Sequence, residues 1–453
     1  MDNFREWKEN GDMDEKTKSE ITEILKEELV PAMGCTEPIS IAYASAMCRS
    51  LLSSPPTAVR IYASPNIIKN VKSVVVPHTG GERGIEAASS IGIVGGREDL
   101  ELQVLSEITK EDIEKSKKLR DEAEFTVLPS NKGYIFHIEV ELENRDEKAT
   151  VEIAGTHTNV IRKERNGEVL FEKEYSETTT VRDVDRSILT IKNIVEYAES
   201  VDIDLIKDTI ERQIEYNTAI AEEGLTSPRG ANIGSILLKS YGESVHNKAK
   251  AYAAAGSDAR MNGSERPVII NSGSGNQGLT ASLPVIVYAR DIGVSHNTLL
   301  RALVVSNLVT IHLKSGIGRL SAYCGATSAG AGAGAGVCYL YGGRENEISH
   351  TVVNALAIES GMICDGAKAS CAAKIASAVE AGLLGMEMQK YGSEFYGGDG
   401  IVKKGVENTI DNVSRIAREG MRETDKTIIE IMTEKVGEGK KTRPIIPDAL
   451  YES

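Results

Sequence analysis

The chain has 453 residues, enough for two or three domains of ordinary size. Hydrophobic residues make up 41% and charged residues 26%, so the chain can bury a sizeable core and is neither disordered nor fibrous. The formal net charge of −15 gives an acidic surface, which argues against nucleic acid and anionic membranes as partners.

The first segment, residues 1–55, is predicted to be helical and to carry one notable cysteine. Residues 1–6 contain no apolar stretch, which predicts a cytoplasmic protein without a signal peptide. A capping-box pattern at 17–20 predicts one helix, and a second is predicted to begin at Pro38. Cys35 lies just before that second helix, where free N–H groups and the helix dipole favour a thiolate. Cys35 is therefore a candidate base or nucleophile, with a buried loop thiol as the alternative.

The second segment, residues 56–185, is predicted to be a mixed α/β domain with a partly antiparallel sheet. Its predicted helices are residues 83–92 and 110–122. Runs of β-branched and aromatic residues predict strands at 74–76, 102–105, 125–128, 135–142 and 150–154. One predicted turn holds His157, which is a candidate substrate contact. The alternative is a surface histidine whose hydrogen-bonding groups already have partners.

The third segment, residues 186–453, has a mainly helical pattern, so the whole chain is predicted to belong to the α+β class. Within it, residues 320–343 carry no charge and are long enough to span a bilayer. Their content of Gly, Ala, Ser and Thr would release little free energy on transfer into lipid. A buried helix with a small-residue face is therefore predicted there, and a membrane span is not.

Four of the six cysteines lie between residues 324 and 371, which is a marked concentration. Cys338 lies in an apolar helical pattern and is expected to be a core thiol. Cys324, Cys364 and Cys371 adjoin Gly-containing turns, and their spacing leaves buried thiols, a metal or cluster site, and catalytic thiols as alternatives. Three thiolates on one iron–sulfur cubane would leave one iron open as a Lewis acid.

A strand-like run, residues 267–270, leads into the glycine-rich loop 271–278. The loop matches G-x-G-x-x-G, but no second strand ending in an acidic residue follows, so a dinucleotide site is not predicted. Its Ser, Asn and Gln side chains and free amides suit a carboxylate or another small anion. The loop is similar to the Ser-Gly-Asn loop of fold-type II pyridoxal-phosphate enzymes, although no lysine precedes it in that family's usual context.

Several motifs together resemble the L-cysteine desulfidase family, which is related to the α chain of iron–sulfur L-serine dehydratases. The resemblance covers nearly the whole chain and rests on residues 31–38 (PAMGCTEP), 270–278 (INSGSGNQG), 323–332 (YCGATSAGAG) and 362–371 (MICDGAKASC). Residues 66–70 (NIIKN) look like the family's Asn-x-x-Lys-Asn segment, although Ser-Pro precedes them here where Gly is usual.

The resemblance implies a [4Fe-4S] enzyme that splits L-cysteine into hydrogen sulfide, ammonia and pyruvate without pyridoxal phosphate. It implies Cys324, Cys364 and Cys371 as cluster ligands and Cys35 as proton acceptor; an alternative assignment makes Cys35 a ligand and leaves Cys371 free. The predicted substrate-binding residues are Ser272, Gly273, Ser274, Asn276, Gln277, Asn66, Lys69, Asn70, His157 and Asn159.

Three other activities stay open at this point: an iron–sulfur L-serine dehydratase, a pyridoxal-phosphate-dependent lyase, and a cysteine or iron–sulfur sensing module. An open cluster iron implies an oxygen-sensitive protein. The sequence allows a homo-oligomer without determining the oligomeric state.

Overall fold

The structure is a computed structural model that describes residues 13–176, 184–318 and 320–433. Its first elements are helix α1 (Glu15–Glu28), strand β1 (Pro31–Met33) and helix α2 (Thr36–Ser50). The predicted starts of both helices were wrong by two to three residues. Asp14 caps α1 by accepting a hydrogen bond from the Thr17 amide, and α2 begins at Thr36, so Cys35 is its N-cap residue.

The second part contains a six-stranded mixed sheet, which confirms the predicted α+β class. The strand order is β3-β2-β4-β5-β6-β7, with β2 and β3 parallel and every other pair antiparallel. The elements are β2 (Ala58–Ala63), α3 (Pro65–Val71), α4 (Ile85–Gly95), α5 (Lys110–Glu122), β3 (Glu124–Pro129), β4 (His137–Glu143), β5 (Lys148–Ala154), β6 (Val160–Arg165) and β7 (Glu168–Glu172).

One face of the central strands is apolar, because buried and partly buried residues alternate along β2 and most of β4. Ile138, Val140 and Leu142 of β4 are fully buried, and α2 packs against β4 and β5 on that face. Two predicted strands were wrong. Residues 74–76 form only an isolated bridge, and residues 102–105 lie at the end of a 3-10 segment, Glu98–Gln103. Short apolar runs are buried in either conformation, so their composition does not determine the backbone.

The remaining described residues are mainly helical, as predicted. The elements are α6 (Ile191–Ser200), α7 (Lys207–Thr226), α8 (Ile233–Tyr241), α9 (Val245–Met261), β8 (Pro267–Ile269), α10 (Gly275–Ile292), α11 (His296–Ile317), α12 (Gly325–Leu340), α13 (Glu345–Ile358), α14 (Cys371–Lys390), α15 (Val406–Arg415) and α16 (Arg422–Thr433). The end of the predicted helical domain, residues 434–453, lies outside the described residues.

Helix α12 is the predicted small-residue helix, and it is buried along nearly its whole length. Its glycines allow neighbouring backbones to approach closely, since a Cβ at Gly330 would lie 2.1 Å from the Ala378 carbonyl oxygen of α14. No helix among the described residues is long and apolar enough to cross a membrane.

The N-terminal segment joins the other two parts of the molecule. Strand β1 pairs antiparallel with β8, and α2 packs against α4 and the large sheet. The start of α2 therefore lies between the sheet-containing part and the helical part. The division into segments 1–55, 56–185 and 186–453 stays a prediction.

Candidate active site

A cavity of about 110 Å³ lies where the start of α2, the helix α3 and the helical part meet. Four cysteines from three distant stretches of the chain line it, namely Cys35, Cys324, Cys364 and Cys371. All six cysteines are free thiols, and the other two are buried away from this cavity, as expected for Cys338.

Two loops are joined at the cavity wall by backbone hydrogen bonds. The amide of Cys324 donates to the carbonyl of Met362 (2.8 Å), and the amide of Cys364 donates to the carbonyl of Ala322 (2.7 Å). This short antiparallel bridge sets Cys324 and Cys364 side by side, with their thiols hydrogen-bonded to each other. Cys371 begins α14 and lines the same cavity, so three cysteines from the 48-residue stretch 324–371 meet there.

The thiol-lined wall lies in a positive environment. The hydrogen bond from Cys324 lowers the pKa of Cys364 to about 6, against the effect of burial, and the charges of Lys69 and Lys314 act in the same direction. The same hydrogen bond, with burial, raises the pKa of Cys324. Lys374 also lines the cavity, so three lysines offset negative charge on these thiols.

Cys35 also lines the cavity and is paired with Glu37. Its Sγ donates a hydrogen bond to Glu37 Oε2 (3.0 Å), and both residues are buried. Burial, and then the charge of Glu37, raise the pKa of the Cys35 thiol. Burial also acts to raise the pKa of Glu37, but the His157 charge and the Cys35 hydrogen bond outweigh it, so Glu37 stays a carboxylate. The proton of this pair therefore lies on sulfur in the free protein.

Cys35 and Cys371 also pack in one small apolar cluster, together with Val74, Met261 and Ala367. The fourth thiol is thus near the three predicted ligands. Both assignments of Cys35, as base and as ligand, are compatible with this packing, and its role stays a prediction.

The glycine-rich loop supplies a polar wall. Ser274, Asn276 and Gln277 line the cavity, and α10 begins within the loop at Gly275. Ser272 does not line it; its hydroxyl donates to the side-chain oxygen of Asn271 (2.8 Å).

The NIIKN segment is a short helix, α3, and only part of it reaches the cavity. Lys69 and Asn70 line the cavity, whereas Asn66 does not. The Asn70 amide donates to Glu37 Oε1 (3.0 Å), and Lys69 forms an ion pair with Asp425 of α16 (2.6 Å). The Cys364 loop touches α3 directly, because a Cβ at Gly366 would lie 2.6 Å from the Lys69 carbonyl oxygen.

His157, Asn159 and Gly273 line a second, neighbouring cavity of about 300 Å³. Thr36 lies between the two cavities and donates to the carbonyl of Gly273 (3.0 Å). His157 acts on the first cavity through its charge, which lowers the pKa of Glu37. The structure therefore brings together most of the predicted residues in one cavity and these three in the next.

The lining residues that sequence reasoning missed include four charged side chains and one tyrosine: Glu37, Arg260, Lys314, Lys374 and Tyr323. Glu37 and Tyr323 lie within the motifs beside cysteines, so their position there was a usable signal. Arg260 and Lys314 lie inside helices α9 and α11, where nothing in the local sequence separates them from surface residues.

A second group of metal-ligating side chains lies on the other face of the large sheet. His137, Glu139 and Glu152 bring one ligand atom each within 4.8 Å of the others. His137 Nε2 is hydrogen-bonded to Glu152 Oε1 (2.7 Å), and Lys132 lies 3.5 Å from the same oxygen. These nitrogen and oxygen donors do not match the thiolates that hold iron–sulfur clusters.

Comparison with known proteins gives consistent matches. Residues 99–430 match the family described as serine dehydratase alpha chain. A UPF0597 protein of Desulfitobacterium hafniense is 53% identical over 90% of this chain and 95% of its own length. UPF0597 proteins of Lachnoclostridium phytofermentans and Finegoldia magna are 51% and 47% identical, over 90% and 91% of this chain and 98% and 99% of their own.

Proposed function

The chain belongs to the serine dehydratase alpha chain family, and from that premise we propose that it is an iron–sulfur lyase acting on L-cysteine. The reaction is a β-elimination that releases hydrogen sulfide and leaves aminoacrylate, which tautomerises to an imine and is hydrolysed by water to pyruvate and ammonia. The observation that carries the proposal is the meeting of Cys324, Cys364 and Cys371 in one cavity that Cys35 and Glu37 also line.

The residues of this wall suit a [4Fe-4S] cluster with three protein ligands. Iron–sulfur clusters are held by thiolates, and the wall offers three free thiols with lysines nearby to balance their charge. A cluster held by three thiolates supplies an iron with an open position, which acts as a Lewis acid towards the sulfur that leaves. Oxygen sensitivity follows from the same open position.

Cys35 is proposed to accept the Cα proton of the substrate as a thiolate, after its own proton has passed to Glu37. This first transfer is uphill, because the thiol holds the proton more tightly than the carboxylate does. The hydrogen bond between Cys35 Sγ and Glu37 Oε2 gives a direct path for that first transfer. Burial raises the pKa of Cys35, so a thiolate formed there is a stronger base than an exposed one. Asn70 holds the other oxygen of Glu37 and so orients the carboxylate.

Polar groups on the remaining walls are proposed to hold the two ends of the amino acid. Ser274, Asn276 and Gln277 offer hydroxyl and amide groups from the glycine-rich loop. The free amides in the first turn of α10 add donors, and the positive end of the helix favours a carboxylate. The small cavity volume, about 110 Å³, favours a free amino acid over a peptide.

L-Serine dehydratase is the second candidate, and the family match favours it. The two reactions share the base, the cluster, and the α-amino and α-carboxylate groups of the substrate. They differ in the leaving group, which is hydroxide from L-serine and sulfide from L-cysteine. Nothing in the cavity lining selects between a hydroxyl and a thiol at Cβ by size alone, because the two substrates differ by a single atom.

The decisive experiment is anaerobic purification, analysis of iron and acid-labile sulfide, and a pyruvate assay with L-cysteine and with L-serine. The proposal predicts about four irons per chain and a higher kcat/KM for L-cysteine; a higher value for L-serine would favour the dehydratase. Trapping of a lysine by borohydride without bound iron would indicate a pyridoxal-phosphate enzyme. L-Cysteine binding without sulfide release would indicate a sensing module.

A further inference from the structure

We propose that Arg260 binds the α-carboxylate of the amino-acid substrate and thereby restricts the cavity to ligands with a free carboxylate. This inference rests on the proposed function, because it assigns one end of that function's substrate. It concerns a residue outside the cysteine motifs, in the last turn of helix α9.

The first argument is that Arg260 is a buried cation without an acidic partner. Its side chain lines the cavity and the residue is 2% exposed. Nη1 donates to the side-chain oxygen of Asn276 (3.1 Å), and Nε has no hydrogen-bond partner. Within the described ranges, no carboxylate forms an ion pair with Arg260, although buried charges are normally paired. An anion in the cavity would supply the missing charge.

Two other cations of the cavity differ from Arg260 in this respect. Lys69 is paired with Asp425 at 2.6 Å, and Lys374 is paired with Asp365 at 2.6 Å. Each of these lysines therefore has an acidic partner in the protein, which Arg260 lacks. Arg260 also presents a planar fork of donors, which matches the two oxygens of a carboxylate better than an ammonium group does.

The second argument is the way in which the glycine-rich loop accommodates the guanidinium. A Cβ at Gly275 would lie 2.3 Å from Arg260 Nε, so a residue with a side chain there would displace the guanidinium. Gly275 is also the first residue of α10, an 18-residue helix whose first amides lack intrahelical acceptors. Arg260 and these amides therefore offer donors to the same small anion.

An alternative role for Arg260 is that of a counter-charge for the Cys35–Glu37 pair. The positive charge of Arg260 acts to lower the pKa of both residues. In that role Arg260 would affect proton transfer, but it would not distinguish a ligand with a carboxylate from one without. Ligands that differ only at this group therefore separate the two roles.

The experiment is isothermal titration calorimetry on the anaerobically purified full chain with L-alanine and with L-alaninamide. L-Alanine has both amino-acid ends but no leaving group, so binding is measured without turnover. We expect L-alanine to bind the wild-type chain at least about tenfold more tightly than the amide does. Arg260→Gln should weaken the binding of L-alanine about 10- to 100-fold and leave the binding of L-alaninamide unchanged within about twofold.

The matched control is Arg229→Gln, since Arg229 is a partly buried arginine near the end of α9 but outside the cavity. It donates to the Asn262 carbonyl and pairs with Glu223 at 2.7 Å. This variant should bind both ligands as the wild-type chain does.

The proposal is wrong if the wild-type chain does not prefer L-alanine to L-alaninamide, including the case in which neither binds. It is also wrong if Arg260→Gln retains the preference. Should that variant fail to fold, Arg260→Lys replaces it: about tenfold weaker L-alanine binding supports the proposal, and wild-type binding overturns it. A chain that shows this preference but lacks iron would disprove the proposed function and leave the assignment of Arg260 standing.

Discussion

Glu37→Gln removes one negative charge from the cavity and preserves the shape of the side chain. In the structure the Glu37 carboxylate accepts hydrogen bonds from Cys35 (3.0 Å), Thr36 (3.2 Å) and Asn70 (3.0 Å). The glutamine oxygen can still accept from Cys35 and Thr36. Its amide can donate to Asn70 after that side chain flips, because Asn70 Oδ1 has no partner among the described residues. We therefore expect the stability to change by less than about 1 kcal/mol.

The expected effect on catalysis is large, because an amide cannot accept the proton of the Cys35 thiol. Loss of a positioned general base costs about 10²- to 10⁴-fold in rate. That range corresponds to about 3–5 kcal/mol of transition-state stabilisation. The kcat of pyruvate formation should fall within this range, while the iron and sulfide contents stay at wild-type values.

A matched control is Glu152→Gln, since Glu152 is also a buried, hydrogen-bonded carboxylate but lies on the large sheet outside this cavity. It should leave kcat unchanged. The reasoning about Glu37 would be refuted by a variant with wild-type kcat and a full cluster. It would equally be refuted if the fall in kcat only followed a loss of iron.

Three further predictions concern the cysteine, the helix packing and the pH dependence of stability. Cys35→Ser should keep the iron content and the visible absorption spectrum and abolish turnover; loss of the cluster would instead make Cys35 a ligand. Gly330→Ala should destabilise the chain by about 1–3 kcal/mol in urea unfolding, because its Cβ would lie 2.1 Å from the Ala378 carbonyl oxygen; unchanged stability would show that α12 and α14 are packed differently. Burial raises the pKa of Asp258 to about 6, against the hydrogen bond from the Gly234 amide. The folded chain therefore binds this proton more tightly than the unfolded chain, and its contribution to stability falls as the pH rises towards and past 6. Relative to wild type, Asp258→Asn should gain about 1–2 kcal/mol in unfolding free energy between pH 5 and 7.5; a constant difference would contradict the shift.

Much of the fold was predictable because it is encoded in local patterns. The helix at residues 110–122 was predicted with the bounds that the structure has, and Thr109 caps its start by accepting a hydrogen bond from the Asp112 amide. The small-residue helix α12 was predicted from composition alone, because glycine and alanine favour burial against neighbouring backbones over insertion into lipid. The wrong strands at 74–76 and 102–105 were short apolar runs, for which burial is the same in a strand, a turn or a 3-10 segment.

The candidate site divides in the same way. The cysteines at 35, 324, 364 and 371 and the loop 271–278 could be singled out from the sequence as candidates, because they lie in motifs that resemble those of a known family. Residues whose role depends on their surroundings in the folded chain could not be recognised in this way. Arg260 lies in a helix without any motif, and only the packing of α9 against α10 makes it a buried cation beside the loop. Glu37 lies in a recognised motif, but the sequence does not show its hydrogen bond with Cys35.

By itself, the sequence of this protein determined its class, most of its helices and four candidate thiols that the structure places in one cavity. Only the tertiary structure decided which of those groups share a cavity and which side chains determine their charge. The physical reason is that backbone preference and side-chain chemistry are local properties. Burial, ion pairing and hydrogen bonding between residues up to several hundred positions apart exist only once the chain has folded.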